Sequence, residues 1–319
     1  MAFSETPACV ILLAMGGPRT TAEVPAYLYN IFSDRRIIRL PGGPLLQKPL
    51  AKLIAARRAE KVKRHYDLIG GGSPLLHWTE AQKAHLERSF AEGAVTRPLR
   101  CYIGMRYAPP MTGEAVRQAY EDGCRTMFFL PMYPQYCRAT TGSSFAEARR
   151  ALERYDDVHP VFIDDFHNNQ GYLFLLREYI GNHMREDETI LFSAHAIPQS
   201  FVDDGDPYVD QVRATASLAA GDREYFLSFQ SRTGPVAWVG PDTVAEARRL
   251  LGAGRRLFVV PISFVCDHIE TLYEIDIELK QLLNAGERIR RMPMFNDDPR
   301  LARTLARIID ARRNVEQHL

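Results

Sequence analysis

Short apolar runs rich in β-branched and aromatic residues alternate with longer amphipathic segments along nearly the whole chain, and this alternation constrains the fold more than any other feature. Runs of strand length occur at Cys9–Ala14, Arg100–Gly104, Thr126–Leu130, Pro160–Ile163, Ile190–Ser193, Tyr225–Ser228 and Leu257–Ile262. Helical periodicity marks Glu80–Ala91, Gly113–Asp122, Phe145–Tyr155, Gly171–Asn182, Tyr208–Ala219 and Val244–Leu251. Strand and helix in alternation predict an α/β fold with a mainly parallel sheet covered by helices on both faces. Ligands in such sheets bind beyond the carboxyl ends of the strands. The residues that follow each run are therefore the candidates for function.

An internal echo accompanies the alternation. Glu114–Pro134 (EAVRQAYEDGCRTMFFLPMYP) and Glu246–Phe264 (EARRLLGAGRRLFVVPISF) share a helix, a glycine-containing turn, an arginine, a short apolar strand and a proline. Two similar halves would produce it, and so would the pattern common to all βα units. At 319 residues the chain has room for two domains or one large one.

Charge and cysteine usage exclude several classes. With 40 Lys+Arg against 39 Asp+Glu the net charge is +1, which gives no bulk electrostatic attraction for nucleic acid. Cys9, Cys101, Cys124, Cys137 and Cys266 are odd in number and show no pairing pattern, which fits a reducing cytoplasm. The run Val10–Met15 has no basic residue before it and reads as a strand rather than a signal peptide. No stretch reaches the roughly 18–20 apolar residues that span a bilayer. Membrane contact is therefore expected only at the periphery.

Three features point to chemistry. His195 follows the run Ile190–Ser193, at a strand end where an imidazole serves as a base, a metal ligand or a structural group. After Leu257–Ile262, a helix predicted from about Asp267 would carry Glu270, Glu274 and Glu278 at i, i+4 and i+8 on one face. Like charges at that spacing repel, and a row of carboxylates suits the relay of protons or of a hydrated divalent cation. Asp267-x-x-Glu270 also has the form of a capping box, which would explain the first two acids but not the last two. His268 is open to three roles: ligand, orienter of a ligand, or helix surface. Leu46, Leu50, Leu53 and Ile54 recur at helical spacing beside Lys48, Lys52, Arg57 and Arg58. That stripe reads either as the core face of a helix or as an apolar lip for a membrane or a greasy ligand. No G-x-G-x-x-G follows the first run, and Ile69-Gly70-Gly71-Gly72-Ser73-Pro74 has no Walker lysine, so a nucleotide site is not expected.

The chain resembles the ferrochelatases, the metal-inserting enzymes of haem synthesis. The resemblance runs in order through Met15-Gly16-Gly17-Pro18, Ile69-Gly70-Gly71-Gly72-Ser73-Pro74, Gly104-Met105-Arg106-Tyr107, Tyr133-Pro134-Gln135-Tyr136 and Thr140-Thr141-Gly142-Ser143-Ser144. It continues in Ser193-Ala194-His195, Gly205-Asp206-Pro207-Tyr208, Gln230-Ser231-Arg232-Thr233-Gly234-Pro235, Trp238-Val239-Gly240-Pro241 and Asp267-His268-Ile269-Glu270-Thr271-Leu272-Tyr273-Glu274.

The resemblance implies two Rossmann-like lobes, each a parallel β-sheet flanked by helices, with a porphyrin cleft between them. The expected division is 1–134, 135–300 and a C-terminal helix, 301–319, returning to the first lobe. It implies that His195 and Glu270 face the porphyrin and the entering metal, and that Glu274 and Glu278, with Asp267 and His268, form an acidic track. Met15, Arg57, Arg58, Tyr66, Ser73, Arg106, Tyr107 and Trp238 are implied porphyrin contacts, and Leu45, Leu46 and Leu50 the membrane-facing lip. The expected reaction is insertion of Fe²⁺ into protoporphyrin IX. Coproporphyrin insertion, another tetrapyrrole chelatase, or a non-catalytic tetrapyrrole or iron carrier are the alternatives. Porphyrin and ferrous iron are the expected partners of a monomer or weak homodimer, cytoplasmic and peripheral to the inner membrane face. Some family members bind a [2Fe-2S] cluster through C-terminal cysteines; no cysteine follows Cys266 here, so no cluster and no permanently bound cofactor are expected. Cys266 stands where the family would suggest a small Ser or Ala, which places a thiol beside the expected site.

Overall fold

The computed structural model describes residues 7–92, 99–234 and 236–316. It divides into two compact units, one running through Asp165 and resuming at Asn296, the other spanning Phe166–Phe295. In the first unit come β1 (Ala8–Ala14), α1 (Val24–Ser33), α2 (Gly43–Asp67), α3 (Leu75–Ala91), β2 (Arg100–Met105), α4 (Thr112–Glu121), β3 (Thr126–Pro131), α5 (Thr141–Leu152) and β4 (His159–Phe162). The second holds α6 (Gln170–His183), β5 (Glu188–His195), α7 (Gln199–Asp203), α8 (Tyr208–Ala220), β6 (Tyr225–Gln230), α9 (Thr243–Gly252), β7 (Arg256–Pro261), α10 (Ile269–Leu272), α11 (Lys280–Leu282) and β8 (Ile289–Arg291). A last helix, α12 (Pro299–Glu316), packs on α3 in the first unit.

Each unit has its own four-stranded parallel sheet, ordered β2-β1-β3-β4 in one and β6-β5-β7-β8 in the other. Numbered within its unit, each sheet runs second, first, third, fourth. The echoed segments occupy the same slot: α4 leads into β3 and α9 into β7. Strands β1 and β7 are buried along nearly their whole length. That is why they read as continuous apolar runs rather than alternating ones.

The seven sequence-derived strands all form, with ends shifted by a few residues at most. The eighth, β8, escaped because its sequence is Ile-Arg-Arg. It is an edge strand, and ion pairs carry its charges: Arg290 reaches Glu188 at 2.9 Å and Arg291 reaches Asp276 at 2.8 Å. The expected division at 134/135 also differs from the observed one. Strand β4 pairs in parallel with β3, Thr126 opposite His159, so α5 and β4 complete the first sheet before the chain leaves it. Residues 317–319 of the expected C-terminal helix lie outside the described residues.

Helix α2 overturns the core-face reading of the leucine stripe. Its buried face is Gln47, Ala51, Ala55 and Ala59, a row at i+4 spacing whose small side chains let α2 approach α1 closely. Leu45 is 90% exposed, Leu46 49% and Leu53 46%, while Leu50 is half-buried. Gln47 is the pin of this arrangement. Its amide donates to the carbonyls of Phe32 (2.6 Å) and Ile38 (2.9 Å), and its oxygen accepts from the Leu40 N–H (3.1 Å), which ties down the loop between α1 and α2.

Candidate functional site

His195 is the last residue of β5 and lies opposite Gln230, the last of β6. Its Nδ1 is 2.6 Å from the Ala196 carbonyl. A carbonyl only accepts, so Nδ1 carries the hydrogen and Nε2 is the working nitrogen, 3.6 Å from Glu270 Oε1. The other carboxylate oxygen, Oε2, lies 3.4 Å from His268 Nε2, while His268 Nδ1 is held by the Cys266 carbonyl at 3.1 Å. One carboxylate thus stands between two imidazoles, each oriented by a backbone carbonyl. With both rings neutral, two Nε2 lone pairs face the carboxylate oxygens. A proton or a metal cation between them relieves that repulsion. Burial opposes the charged carboxylate, but the neighbouring His195 and the hydrogen bond and charge interaction with His268 outweigh it and hold Glu270 below the usual carboxylate range.

The acids follow in a segment that is not the regular helix expected from the sequence. After the single turn of α10 the chain widens into a π-helical stretch, Glu274–Leu279, before α11. The Glu278 N–H bonds to the carbonyl of Tyr273, five residues back, at 2.8 Å. Such widened turns concentrate at functional sites. Glu274 Oε2 accepts hydrogen bonds from Gln230 Nε2 (3.1 Å) and from the Ser231 hydroxyl. Burial and the neighbouring charge of Glu270 push Glu274 up to about 7, against the opposing pull of Ser231, His195 and Gln230. Glu278 is partly exposed, with the Tyr273 hydroxyl 3.5 Å from its Oε1.

Asp267 does not join this row. Its Oδ1 is 3.0 Å from Arg291 Nη1 and accepts from the Thr271 hydroxyl at 2.9 Å, so an arginine already balances its charge. The capping-box reading is corrected as well: the box is formed by His268 and Thr271, the His268 N–H donating to Thr271 Oγ1 at 3.0 Å. Glu270 is thereby freed for the two histidines. Residue type and position after a strand make His195 and Glu270 candidates in the sequence, and the structure brings them within 3.6 Å of each other. Gln230 and Ser231 also follow a strand, but neither titrates and no chemical type drew attention to them.

The remaining expected contacts, Trp238 apart, belong to the first unit, where a different network appears. Asp34 Oδ2 accepts from Arg106 Nη2 (2.8 Å), the Tyr107 hydroxyl (2.8 Å) and the Ser143 hydroxyl (2.5 Å). Glu147 lies 3.7 Å from Arg106, so two carboxylates face this one guanidinium. Burial alone would raise Asp34, but the Ser143 and Tyr107 hydroxyls, the Arg36 N–H and the Arg106 charge together hold it below the usual range. Tyr107 is 1% exposed and its hydroxyl is fully engaged, so it acts as a fixed part of this unit rather than as an open ligand contact. Sequence reasoning missed Asp34, whose loop shows no pattern before the chain folds.

Tyr66 is likewise buried. Ser73 packs on the loop after β1, its N–H bonding the Pro18 carbonyl at 2.7 Å, and a Cβ at Gly17 would come within 2.5 Å of Ser73 Oγ. The glycine at 17 therefore serves close approach of two loops. Met15 is partly exposed, and Arg57 and Arg58 lie on the exposed face of α2. In the second unit Trp238 is partly exposed, with its indole N–H buried and unpaired among the described residues, while Pro235 lies outside those residues. Cys266 is 4% exposed. The described residues hold no group of three or more His, Cys, Asp or Glu side chains arranged around a metal ion, and no helix long and apolar enough to cross a membrane.

The ferrochelatase family model matches residues 7–313. The chain belongs to the ferrochelatase family. A ferrochelatase of Geotalea daltonii is 41% identical over 312 residues, covering 94% of this chain and 96% of the relative. One of Geobacter metallireducens is 42% identical over 313 residues with the same coverage, and one of Rippkaea orientalis 41% over 320 residues, covering 94% of this chain and 81% of that relative. Family membership makes this ferrochelatase a metal-inserting enzyme of the lyase class, acting on a porphyrin and iron. Among solved structures, SirB from Bacillus subtilis with Fe³⁺ superposes with a TM-score of 0.57 at 12% identity, covering 97% of both chains. SirB from the subspecies spizizenii in complex with cobalt gives 0.56 at 12% identity and the same coverage. At that identity the likeness establishes the shared fold, two four-stranded parallel sheets flanked by helices.

Proposed function

We propose that the enzyme inserts Fe²⁺ into protoporphyrin IX, releasing two protons and giving protohaem in the last step of haem synthesis. The observation that carries the proposal is the Glu270 carboxylate set between His195 and His268, with Glu274 pushed up to about 7 beside it. Insertion requires two pyrrole N–H protons to leave and water to be stripped from the ion. An imidazole with a free Nε2 accepts a proton near neutral pH, and a carboxylate balanced between proton and cation releases whichever it holds. His195 and Glu270 share these two tasks, while Glu274 and Glu278 carry protons or ions away from or toward them. Iron here is cargo, so ligands too few to trap it suit turnover. No resident cofactor and no iron–sulfur cluster enter the proposal.

The exposed Leu45 and Leu46, with the half-buried Leu50 and the nearby Lys48 and Lys52, support peripheral attachment to an anionic membrane surface on the cytoplasmic side. An apolar product favours such a location. Anaerobic assays with Fe²⁺ and either protoporphyrin or coproporphyrin, followed by metalloporphyrin absorbance, test the substrate. Faster insertion into protoporphyrin is expected. Preference for coproporphyrin would reassign the substrate, and no insertion into either would remove the proposed reaction.

A further inference from the structure

Two donors converge on one oxygen of Glu274, and the residues that supply them are held in place on purpose-built geometry. Gln230 is buried at the end of β6, and its Oε1 accepts from the Ser193 hydroxyl at 2.6 Å. Ser193 is fully buried and lies 3.0 Å from Thr243 Oγ1, so this contact has little freedom. It fixes which way the amide faces: Nε2 points to the acidic segment and donates to Glu274 Oε2 at 3.1 Å and to the Glu270 carbonyl at 3.0 Å. The next residue, Ser231, takes φ +68°, a conformation that suits glycine and that few other residues adopt. That turn aims the Ser231 hydroxyl at the same Oε2. Among the described residues no donor meets Glu274 Oε1.

We infer that Gln230 and Ser231 are positioning residues that clamp Glu274 by Oε2, leaving Oε1 as its one exchanging oxygen. The inference rests on the role proposed above for Glu274. A carboxylate bonded twice through one oxygen has that oxygen fixed, so its other oxygen keeps a constant direction. A serine at a left-handed position, where glycine would sit without strain, is explained when its hydroxyl is what the site requires. Gln230 also holds the Glu270 carbonyl, whereas the Ser231 hydroxyl meets Glu274, so Ser231 is the member whose effect runs through Glu274.

The test compares Ser231→Gly, Ser231→Asn, Glu274→Gln and the double variant Ser231→Gly/Glu274→Gln in the full chain, by anaerobic insertion kinetics and thermal melting. Glycine accepts the backbone angle but removes the donor. Ser231→Gly is expected to keep or raise the melting temperature and leave KM for porphyrin unchanged, while kcat falls roughly tenfold or more. Asparagine tolerates the left-handed region and offers an N–H donor, so Ser231→Asn should recover most of that loss. In the Glu274→Gln background, Ser231→Gly should change kcat by less than about twofold, since its route of action is gone. Wild-type kcat in Ser231→Gly, or its full effect repeated in the Glu274→Gln background, would overturn the clamp while leaving Glu274 its role. Wild-type kcat in Glu274→Gln would overturn the role of Glu274, and the clamp with it.

Discussion

The segment after the third strand of each sheet differs in kind between the two units. After β3 comes α5, twelve residues of regular helix, and its Ser143 closes a network in which Asp34 and Arg106 balance each other. After β7 the equivalent segment runs from one α-turn into a π-helical stretch, and Glu270 and Glu274 meet histidines, a glutamine and a serine rather than an arginine. Arg291 reaches that segment only at Asp276 and also pairs with Asp267. One topology therefore carries both a closed ion network around an arginine and an acidic one that no arginine closes, the one to which the proposed function gives the exchange of protons and metal. Local irregularity marks the second, as expected where function overrides the most stable local choice.

The largest expected effect breaks the open network. His195→Ala and Glu270→Gln should each lower kcat by about 10²–10⁴-fold, with porphyrin binding, read by fluorescence quenching, retained. Activity near wild type in either variant would remove the distinction between the two networks.

Next comes the closed network, where the effect should fall on stability. Asp34→Ala leaves the Arg106 guanidinium and two hydroxyls without their shared acceptor and should cost about 3 kcal/mol, measured by denaturant unfolding. The same network predicts a pH dependence. Asp34 ionises lower in the folded chain than in the unfolded one, so the unfolded state binds the proton first as pH falls. Its contribution is fully present above the ordinary aspartate pKa and is lost as pH drops through the lower folded value. The stability gap between wild type and Asp34→Ala should therefore be constant near neutrality and close in acid. A gap that widened there would reverse the assignment.

Smaller effects separate the two faces of α2. Ala55→Leu forces a branched side chain into the close approach of α1 and α2 and should destabilise by about 1–3 kcal/mol. Leu46→Ser on the exposed face should change stability by less than about 0.5 kcal/mol. It should nonetheless weaken sedimentation with anionic liposomes, and unchanged binding would refute the membrane-facing role.

Particular residues show how far sequence reasoning reached. The central strands β1, β3, β5 and β7 are legible because they bury both faces and so read as nearly unbroken apolar runs, whereas the edge strand β8 is not, because it carries two arginines that acids elsewhere pair with. The leucine stripe of α2 has helical spacing that leaves open whether it faces the core or solvent, and its leucines prove largely exposed. Periodicity shows that a face exists, whereas the neighbour it meets decides whether alanines or leucines are buried. Chemical type and position mark His195, Glu270, Glu274 and Glu278 as candidates. Asp267 was assigned to their row because its partner, Arg291, is distant in sequence.

The sequence by itself determined the alternation of strand and helix, the strand-end placement of His195, the run of acids after β7 and, through ordered motifs, the family. These depend on local period and residue type, which a linear chain displays. Tertiary structure alone decided that Glu270 stands between two imidazoles, that Asp267 is neutralised while Glu274 is not, and that Ser231 turns back to hold Glu274. Each of these is an electrostatic or hydrogen-bonded balance among groups far apart along the chain, and its outcome depends on distances of a few ångströms that only folding fixes.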